Sequence, residues 1–252
     1  MELPLAFTDR TKNLLKDEYP AFEKALREES PVSIRLNPLK TNSGLFGQEQ
    51  VPWCKNGYYL QDRPAFTFDP RFHAGAYYVQ EASSMFLDHV IRQHIIRPVR
   101  YLDLCAAPGG KTTLALSALP EGSLVVCNEI VRNRAHVLAE NIIKWGNPYC
   151  IVTNNDSATF NSLKHYFDVI LTDVPCSGEG MFRKDPVAVQ EWSASNVGLC
   201  SERQKEILHN IWDALRPGGI LIYSTCTYNT NENEFIAEYI QNRLRAIPLP
   251  TK

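Results

Sequence analysis

Short apolar runs alternate with segments of helical spacing along most of the second half of the chain. The apolar runs occur at residues 99–104, 123–129, 149–156, 167–173 and 219–225. Helical spacing lies between them, most clearly at residues 111–119 and 131–146. Strands that alternate with helices are typical of a parallel sheet, which needs helices on both faces to cover it. The pattern therefore predicts an α/β fold built on such a sheet.

The predicted helix before the last strand carries start and stop signals. Ser201 and Gln204 match a capping box, and Pro217-Gly218-Gly219 predicts the end of the helix. Its apolar stripe, which we expect to face the core, consists of Ile207, Leu208, Ile211, Trp212 and Leu215. Asn231 and Glu234 predict a second capping box further along the chain.

The beginning of the chain has a different pattern. Two helical segments precede a predicted strand at residues 31–38, and a stretch rich in proline, glycine and aromatic residues extends to about Phe72. This pattern predicts a small N-terminal α+β lobe over residues 1–75, followed by a larger domain over residues 76–252.

Composition and charge exclude several classes of protein. Hydrophobic residues make up 44% of the chain and the formal net charge is -2, so a generally basic nucleic-acid binder is not expected. Neither a secretory signal nor an apolar run long enough to span a membrane is evident, which predicts a cytoplasmic protein. The seven cysteines include no C-x-x-C pair, so we expect reduced thiols and no metal site.

Candidate binding residues follow the predicted strands. Ligands bind at the carboxyl ends of strands in an open parallel sheet. Gly109 and Gly110, after the first strand, let a ligand approach the backbone at a helix N-terminus, although neither a phosphate loop nor G-x-G-x-x-G is present. Glu129, 19 residues beyond Gly110, stands where a ribose-binding carboxylate is expected. Asp156 and Asp173 end the next two strands, and three acids in register favour a ligand site over solvated helix caps.

Two cysteines complete this set of strand-end residues. Cys176 follows the fourth predicted strand and Cys226 follows the fifth, so we expect two thiols beside one pocket. A pair of thiols at a nucleoside-binding edge suits methylation of cytosine at carbon 5, where a thiolate must first add to carbon 6. An acid near ring nitrogen 3 and a group that helps remove the carbon 5 proton complete the chemistry. Spacing alone does not decide which cysteine attacks, and the lack of C-x-x-C argues against a redox thiol enzyme.

The strand-end motifs resemble those of a known family. "DLCAAPGGKTT", "DVPCSGEG" and "STCTYNTNENE", with "YYVQEASSM" upstream, are similar to the motifs of RNA cytosine-C5 methyltransferases, which use S-adenosyl-L-methionine. The continuation "GMFRKDP" is most similar to the bacterial ribosomal RNA branch called RsmF. The resemblance implies a Rossmann-like methyltransferase sheet and an N-terminal lobe that contacts RNA, with ribosomal RNA or a small-subunit particle as the partner. We expect a monomer.

The resemblance also implies roles for individual residues. Cys226 matches the nucleophile, Cys176 the residue that helps release the product, Asp173 the acid at the cytosine ring, and Lys111 a lysine near cofactor and target. Glu129 and Asp156 match the ribose and adenine contacts, and Asp173 and Lys111 also border the cofactor. The loop expected around the methionine part consists of Cys105, Ala106, Ala107, Pro108, Gly109 and Gly110.

The motifs are compatible with several alternative functions. A transfer RNA cytosine-C5 methyltransferase would carry the same residues, and a cofactor-binding ribosome-assembly factor would have little turnover. A DNA cytosine methyltransferase would depend on Cys176 rather than Cys226. Relatives of this kind continue after the "NENEF" helix with further strands and an RNA-binding region, so we expect a catalytic domain truncated at its C-terminal end.

Overall fold

The computed structural model describes residues 3–41 and 49–252. Residues 1, 2 and 42–48, which belong to the predicted N-terminal lobe, lie outside the described residues. The first elements in chain order are α1 (Leu5–Leu15), α2 (Tyr19–Arg27), β1 (Val32–Leu36), β2 (Gly57–Leu60), α3 (Pro70–His73), β3 (Tyr77–Val79) and α4 (Phe86–His94). Strands β1, β2 and β3 form an antiparallel sheet in the order β2-β1-β3, so the predicted α+β region is present.

The second sheet contains the predicted alternation of strands and helices. Its elements are β4 (Arg100–Asp103), α5 (Gly110–Ala118), β5 (Leu124–Asn128), α6 (Arg132–Trp145), β6 (Cys150–Thr153), β7 (Phe167–Asp173), α7 (Pro186–Glu191), α8 (Ala194–Ile211), β8 (Leu215–Ser224) and α9 (Glu234–Asn242). The strand order is β6-β5-β4-β7-β8, and β4, β5, β6 and β7 run parallel. The predicted α/β fold is confirmed.

The chain divides into two compact units, each made of several segments. The sheet unit comprises the described residues of Pro31–Asp173 together with Asp213–Ile222 and Thr251–Lys252. The cysteine unit, named for Cys176 and Cys226, comprises the described residues up to Ser30 together with Val174–Trp212 and Tyr223–Pro250. The predicted domain boundary at residue 75 follows composition rather than contacts, and it stays a prediction.

Each unit has its own buried core. In the sheet unit, Tyr101, Val125 and Val169 from three neighbouring strands pack with Leu114 of α5. In the cysteine unit, aromatic and aliphatic side chains pack around the first helix, namely Phe7, Leu26, Phe182, Val189, Trp192 and Val197. The apolar run of β7 is buried almost throughout, which is the pattern of a strand covered on both faces.

The predicted boundaries of the helix before β8 were wrong. Helix α8 begins at Ala194, where Ser193 accepts a hydrogen bond from the Asn196 N–H at 3.1 Å. Ser201 therefore lies inside the helix, and its hydroxyl donates to the Asn231 carbonyl. The strand begins at Leu215 and includes Pro217, which the edge position of β8 tolerates because an edge strand needs no N–H donor on its open side.

The second predicted capping box was also wrong. Helix α9 begins at Glu234 after Asn233, whose side chain makes no cap. Asn233 instead donates to the carbonyl oxygens of Thr227 and Asn229 at 3.1 and 3.0 Å, and Thr225 donates to Asn233. The polar side chains before α9 therefore fix the preceding loop rather than the helix start. Among residues 3–41 and 49–252, no helix has the length and apolar content needed to cross a membrane.

Candidate active site

The loop after β4 brings the predicted glycines to the start of α5. The Gly109 N–H donates to the Ala106 carbonyl at 2.8 Å, and the Ala106 N–H donates to the Asn128 carbonyl at 2.8 Å. Gly109 has φ of 109°, a left-handed conformation that favours glycine, and an added Cβ would lie 3.2 Å from Leu138 Cδ1. The loop therefore keeps its backbone open at the helix N-terminus because glycine occupies position 109.

Helix α6 holds the same loop from its other side. Asn141 donates to the Pro108 carbonyl at 2.8 Å, and Arg134 donates to the Ala107 carbonyl at 2.9 Å. Burial raises the pKa of the Cys105 thiol to about 12, so this cysteine stays protonated near neutral pH. Cys105 is consequently unsuited to nucleophilic attack. The loop offers a ligand its fixed backbone and no reactive side chain at this position.

The acids after β5 and β6 differ in their surroundings. Glu129 is 2% exposed, accepts a hydrogen bond from the Val131 N–H at 2.9 Å, and lies 3.4 Å from a guanidinium nitrogen of Arg134. Asp156 is exposed and accepts from the Ala158 N–H at 2.8 Å, where it caps a short 3₁₀ helix. Glu129 thus has the fixed, buried carboxylate expected of a ligand site, whereas Asp156 has the contacts of a helix cap. A cofactor contact at Asp156 stays a prediction.

The structure brings Lys111 and Asp173 together in the sheet unit. Lys111 lies in the first turn of α5 and Asp173 ends β7, and the Lys111 Nζ is 2.7 Å from the Asp173 Oδ2. Both side chains are partly exposed, at 22% and 31%. A charged hydrogen bond at this length fixes the carboxylate while leaving access to it. Their predicted roles in catalysis and cofactor binding remain predictions.

Asp103, at the end of β4, was missed by the sequence analysis. It is fully buried, and the Thr112 hydroxyl donates to its Oδ2 at 2.6 Å. Its Oδ1 has no hydrogen-bond partner within residues 3–41 and 49–252. Burial raises the pKa of the carboxyl to about 7. An acid inside the otherwise apolar "RYLDL" was the available signal, because a buried carboxylate is costly unless a donor meets it.

We expect Asp103→Asn to raise the free energy of unfolding at pH 8 by a few kcal/mol. The folded protein holds the Asp103 proton up to about pH 7, whereas the unfolded chain releases it near 3.8. The free energy of unfolding of the wild type should therefore fall as pH rises between these two values and level off above pH 7. Each unit of difference between the folded and unfolded pKa corresponds to about 1.4 kcal/mol. Urea unfolding between pH 4 and 8 measures the free energy of unfolding of both proteins. If it changes with pH equally in wild type and in Asp103→Asn, the raised pKa of Asp103 is contradicted.

The two predicted catalytic cysteines meet in the cysteine unit. The Cys176 and Cys226 sulfurs are 3.1 Å apart, and the Cys226 N–H donates to the Cys176 sulfur at 3.4 Å. Cys226 is exposed and Cys176 is half-buried. The hydrogen bond with Cys226, together with burial, raises the pKa of the Cys176 thiol. Cys176 therefore keeps its proton, and Cys226 presents the accessible sulfur of the pair.

Two buried carboxylates beside the cysteines were also missed. Glu179 and Glu232 are both fully buried and lie within the quoted motifs "DVPCSGEG" and "STCTYNTNENE". Glu232 accepts hydrogen bonds from the Ser177 N–H at 3.0 Å and from the side chains of Gln204 and Asn229 at 2.8 and 2.7 Å. Glutamates in a loop sequence look solvated, so the sequence offered no sign that these two are buried.

Two family models match the chain. The model of the 16S rRNA methyltransferase RsmB/F matches residues 96–251, and the model of the N-terminal domain of 16S rRNA methyltransferase RsmF matches residues 3–82. A methyltransferase homologue from Pyrococcus horikoshii has a similar crystal structure, with a TM-score of 0.80 and 28% identity over 94% of this chain and 78% of that one. The fold is accordingly that of the methyltransferase class. The chain belongs to the 16S rRNA methyltransferase RsmB/F family.

Curated relatives agree with this family. The ribosomal RNA small subunit methyltransferase F of Pectobacterium atrosepticum is 35% identical over 259 residues, 95% of this chain and 53% of the relative. The protein of the same name from Shewanella oneidensis is 38% identical over 221 residues, 83% of this chain and 47% of the relative. The chain thus spans about half the length of the curated relatives it matches. The predicted resemblance to the RsmF branch is confirmed.

Proposed function

We propose that this chain transfers a methyl group from S-adenosyl-L-methionine to carbon 5 of a cytosine in ribosomal RNA, through a covalent adduct of Cys226 at carbon 6. The observation that carries the proposal is the 3.1 Å pair of Cys176 and Cys226. Two adjacent thiols of unequal exposure match a reaction that needs one attacking sulfur and a second group for release. The relatives named as ribosomal RNA small subunit methyltransferases support ribosomal RNA as the substrate.

The residues of the sheet unit fit S-adenosyl-L-methionine. Glu129 supplies a fixed carboxylate for the two ribose hydroxyls, and the Gly109 loop supplies open backbone for the methionine part. The Asp103 Oδ1, which lacks a partner among the described residues, is able to accept a hydrogen bond from a bound ligand. When bound, S-adenosyl-L-methionine supplies an electrophilic methyl group. Asp156 and Asp173 complete the proposed cofactor site.

The chain's own side chains account for the activation of the cytosine. The Cys226 thiolate forms a bond to carbon 6, and the electron pair of the ring double bond moves to carbon 5, which becomes nucleophilic. Asp173, oriented by Lys111, is assigned to ring nitrogen 3, where its carboxyl in the protonated form donates a hydrogen bond that stabilises the adduct. After methylation, a base removes the carbon 5 proton, the double bond re-forms and the sulfur of Cys226 leaves. We assign Cys176 to this release, because it holds a proton beside the departing thiolate.

Transfer of a labelled methyl group tests the proposed function. The 252-residue chain is incubated with labelled S-adenosyl-L-methionine and a 16S ribosomal RNA transcript, and the RNA is digested to nucleosides. We expect the label in 5-methylcytidine. Binding of the cofactor without transfer to ribosomal RNA favours an assembly factor, and methyl transfer only to transfer RNA favours transfer RNA as the substrate.

The proposal includes a monomer in the cytoplasm whose N-terminal lobe, residues 1–75, contacts RNA, and whose catalytic domain comprises residues 76–252.

Glu129→Gln is expected to weaken binding of S-adenosyl-L-methionine about tenfold. Neutralising the buried carboxylate weakens its hydrogen bonds to the ribose hydroxyls, and a hydrogen bond to a charged group contributes roughly 1.5–3 kcal/mol. Equilibrium dialysis of the cofactor measures the change. Glu140→Gln, the same substitution on the exposed side of α6, is the matched control and should bind normally. Equal affinity in both variants would remove Glu129 from the cofactor site.

A further inference from the structure

The loop that carries Cys226 is held by two hydrogen bonds to the segment 179–180. The Gly180 N–H donates to the Cys226 carbonyl at 2.7 Å, and the Tyr228 N–H donates to the Glu179 Oε2 at 3.0 Å. The backbone from Cys226 to Tyr228 is therefore held at its two ends by the neighbouring residues Gly180 and Glu179. An added Cβ at position 180 would be 2.7 Å from the Cys226 carbonyl oxygen, so the approach is close.

Glu179 is the buried centre of this arrangement. Its Oε1 accepts hydrogen bonds from the Arg10 guanidinium at 2.8 Å, the Trp192 indole at 3.0 Å and the Asn229 amide at 3.2 Å. Together with the Tyr228 N–H on Oε2, these donors occupy both oxygens. A fully buried carboxylate with four donors is not placed to exchange protons with a substrate. Its contacts are those of a residue that holds others in position.

Arg10 is the counterion that makes this burial tolerable. A buried carboxylate is stable only when it is paired, and loss of its partner leaves an uncompensated charge. Arg10 lies in α1, 169 residues before Glu179, and its guanidinium carbon is 5.3 and 5.5 Å from the ring centroids of Phe7 and Trp192. The two rings and the carboxylate together orient the guanidinium.

We propose that Arg10 and Glu179 are positioning residues for Cys226. Through the Glu179 carboxylate, helix α1 sets the path of the backbone from residue 226 to residue 228 and thereby keeps the Cys226 sulfur beside Cys176. The inference rests on the proposed function in that it assigns Cys226 as the nucleophile. Helix α1 then contributes to the catalytic arrangement through Arg10, although neither Arg10 nor Glu179 is assigned a contact with the reacting atoms.

The rate at which Cys176 and Cys226 form a disulfide tests the positioning without RNA. With diamide as oxidant, the two thiols give up two electrons and two protons, the S–S bond forms, and the N=N bond of diamide becomes a hydrazine. Because the rate depends on the distance between the sulfurs, we expect Arg10→Ala and Glu179→Gln to slow it about tenfold. Arg10→Lys keeps the charge and should restore most of the rate. The rate is measured by mass spectrometry of the peptides that the Cys176–Cys226 disulfide joins.

A matched control separates positioning from a general loss of structure. Arg27→Ala removes another 2.8 Å ion pair, that with Glu23, from the exposed surface of α2 and should leave the disulfide rate unchanged. Thermal unfolding followed by circular dichroism checks that each variant is folded. An unchanged rate in folded Arg10→Ala and Glu179→Gln overturns the inference. If Glu179→Gln does not fold, Arg10→Ala and Arg10→Lys decide the question.

The RNA adduct is the second readout. In the Cys176→Ala background, where the adduct accumulates, Arg10→Ala should slow single-turnover adduct formation with a 16S ribosomal RNA transcript about tenfold, with the affinity for S-adenosyl-L-methionine unchanged. A merely structural role would change the melting temperature without this selective loss of adduct rate. If Cys176→Ala forms no adduct while the disulfide rate of the chain with both cysteines still depends on Arg10, the proposed function fails and the positioning stands. A normal adduct rate in Arg10→Ala contradicts the positioning.

Discussion

Cys226→Ala is expected to abolish methyl transfer and the covalent RNA adduct together, with a loss of at least about 10⁴-fold. Carbon 5 of cytosine is a poor nucleophile until a sulfur adds to carbon 6, so no other group in the site replaces the attacking thiolate. Cys226 is the exposed member of the pair, and its partner is held protonated. The loss should appear in the chemical step rather than in cofactor binding.

The matched control for this variant is Cys200→Ala. Cys200 is a half-buried cysteine in α8 of the same compact unit, and it lies 4.0 Å from the Asn196 Oδ1 rather than beside Cys226. Labelled methyl transfer and a denaturing gel of protein with 16S ribosomal RNA measure the two effects. Residual adduct in Cys226→Ala, dependent on Cys176, would reverse the assigned roles and favour the mechanism of DNA cytosine methyltransferases.

Cys176→Ala is expected to have the opposite effect on the adduct, which should accumulate while steady-state turnover falls about 10²-fold or more. The Cys176 sulfur is 3.1 Å from the Cys226 sulfur and its pKa is raised, so we expect the protonated Cys176 to donate a hydrogen bond to the departing thiolate. Alanine removes that donor and leaves the attack by Cys226 intact. A first round of methyl transfer should therefore proceed, and release should become the slow step.

A denaturing gel distinguishes this outcome from simple inactivity. Covalent RNA adducts survive denaturation, so the variant should show a slow-migrating band that wild type and Cys200→Ala show only weakly. Counting methyl groups per protein molecule should give about one for Cys176→Ala in the absence of turnover. A variant that turns over at the wild-type rate, or that yields neither methylation nor adduct, contradicts a role for Cys176 in release.

Several elements follow directly from local sequence. The strands β4, β5 and β7 were predicted to within about two residues of their observed bounds, because each is an apolar run that ends in a polar residue. The start of α8 was predicted wrongly. Serine is a common N-cap residue, and Ser193 rather than Ser201 has that position in the structure. Gln204, predicted as part of a cap, instead donates to the Pro175 carbonyl and to Glu232.

The candidate site divides in the same way. The strand-end rule and the motifs indicated Glu129, Asp173 and both cysteines, because the carboxyl ends of parallel strands share one edge of the sheet. Neither the rule nor the motifs distinguished Glu129, which is buried and fixed, from Asp156, which caps an exposed turn. That difference depends on which neighbours cover each acid, and neighbours come from distant parts of the chain.

The sequence by itself determined the alternation of strands and helices, the glycine loop and the family, because these depend on local patterns and short motifs. Only the tertiary structure decided that Asp103 is buried with one oxygen unpartnered among the described residues, and that Glu179 pairs with Arg10 from 169 positions away. Burial changes the cost of a charge and the identity of its partner, and both depend on contacts between segments that no local pattern connects.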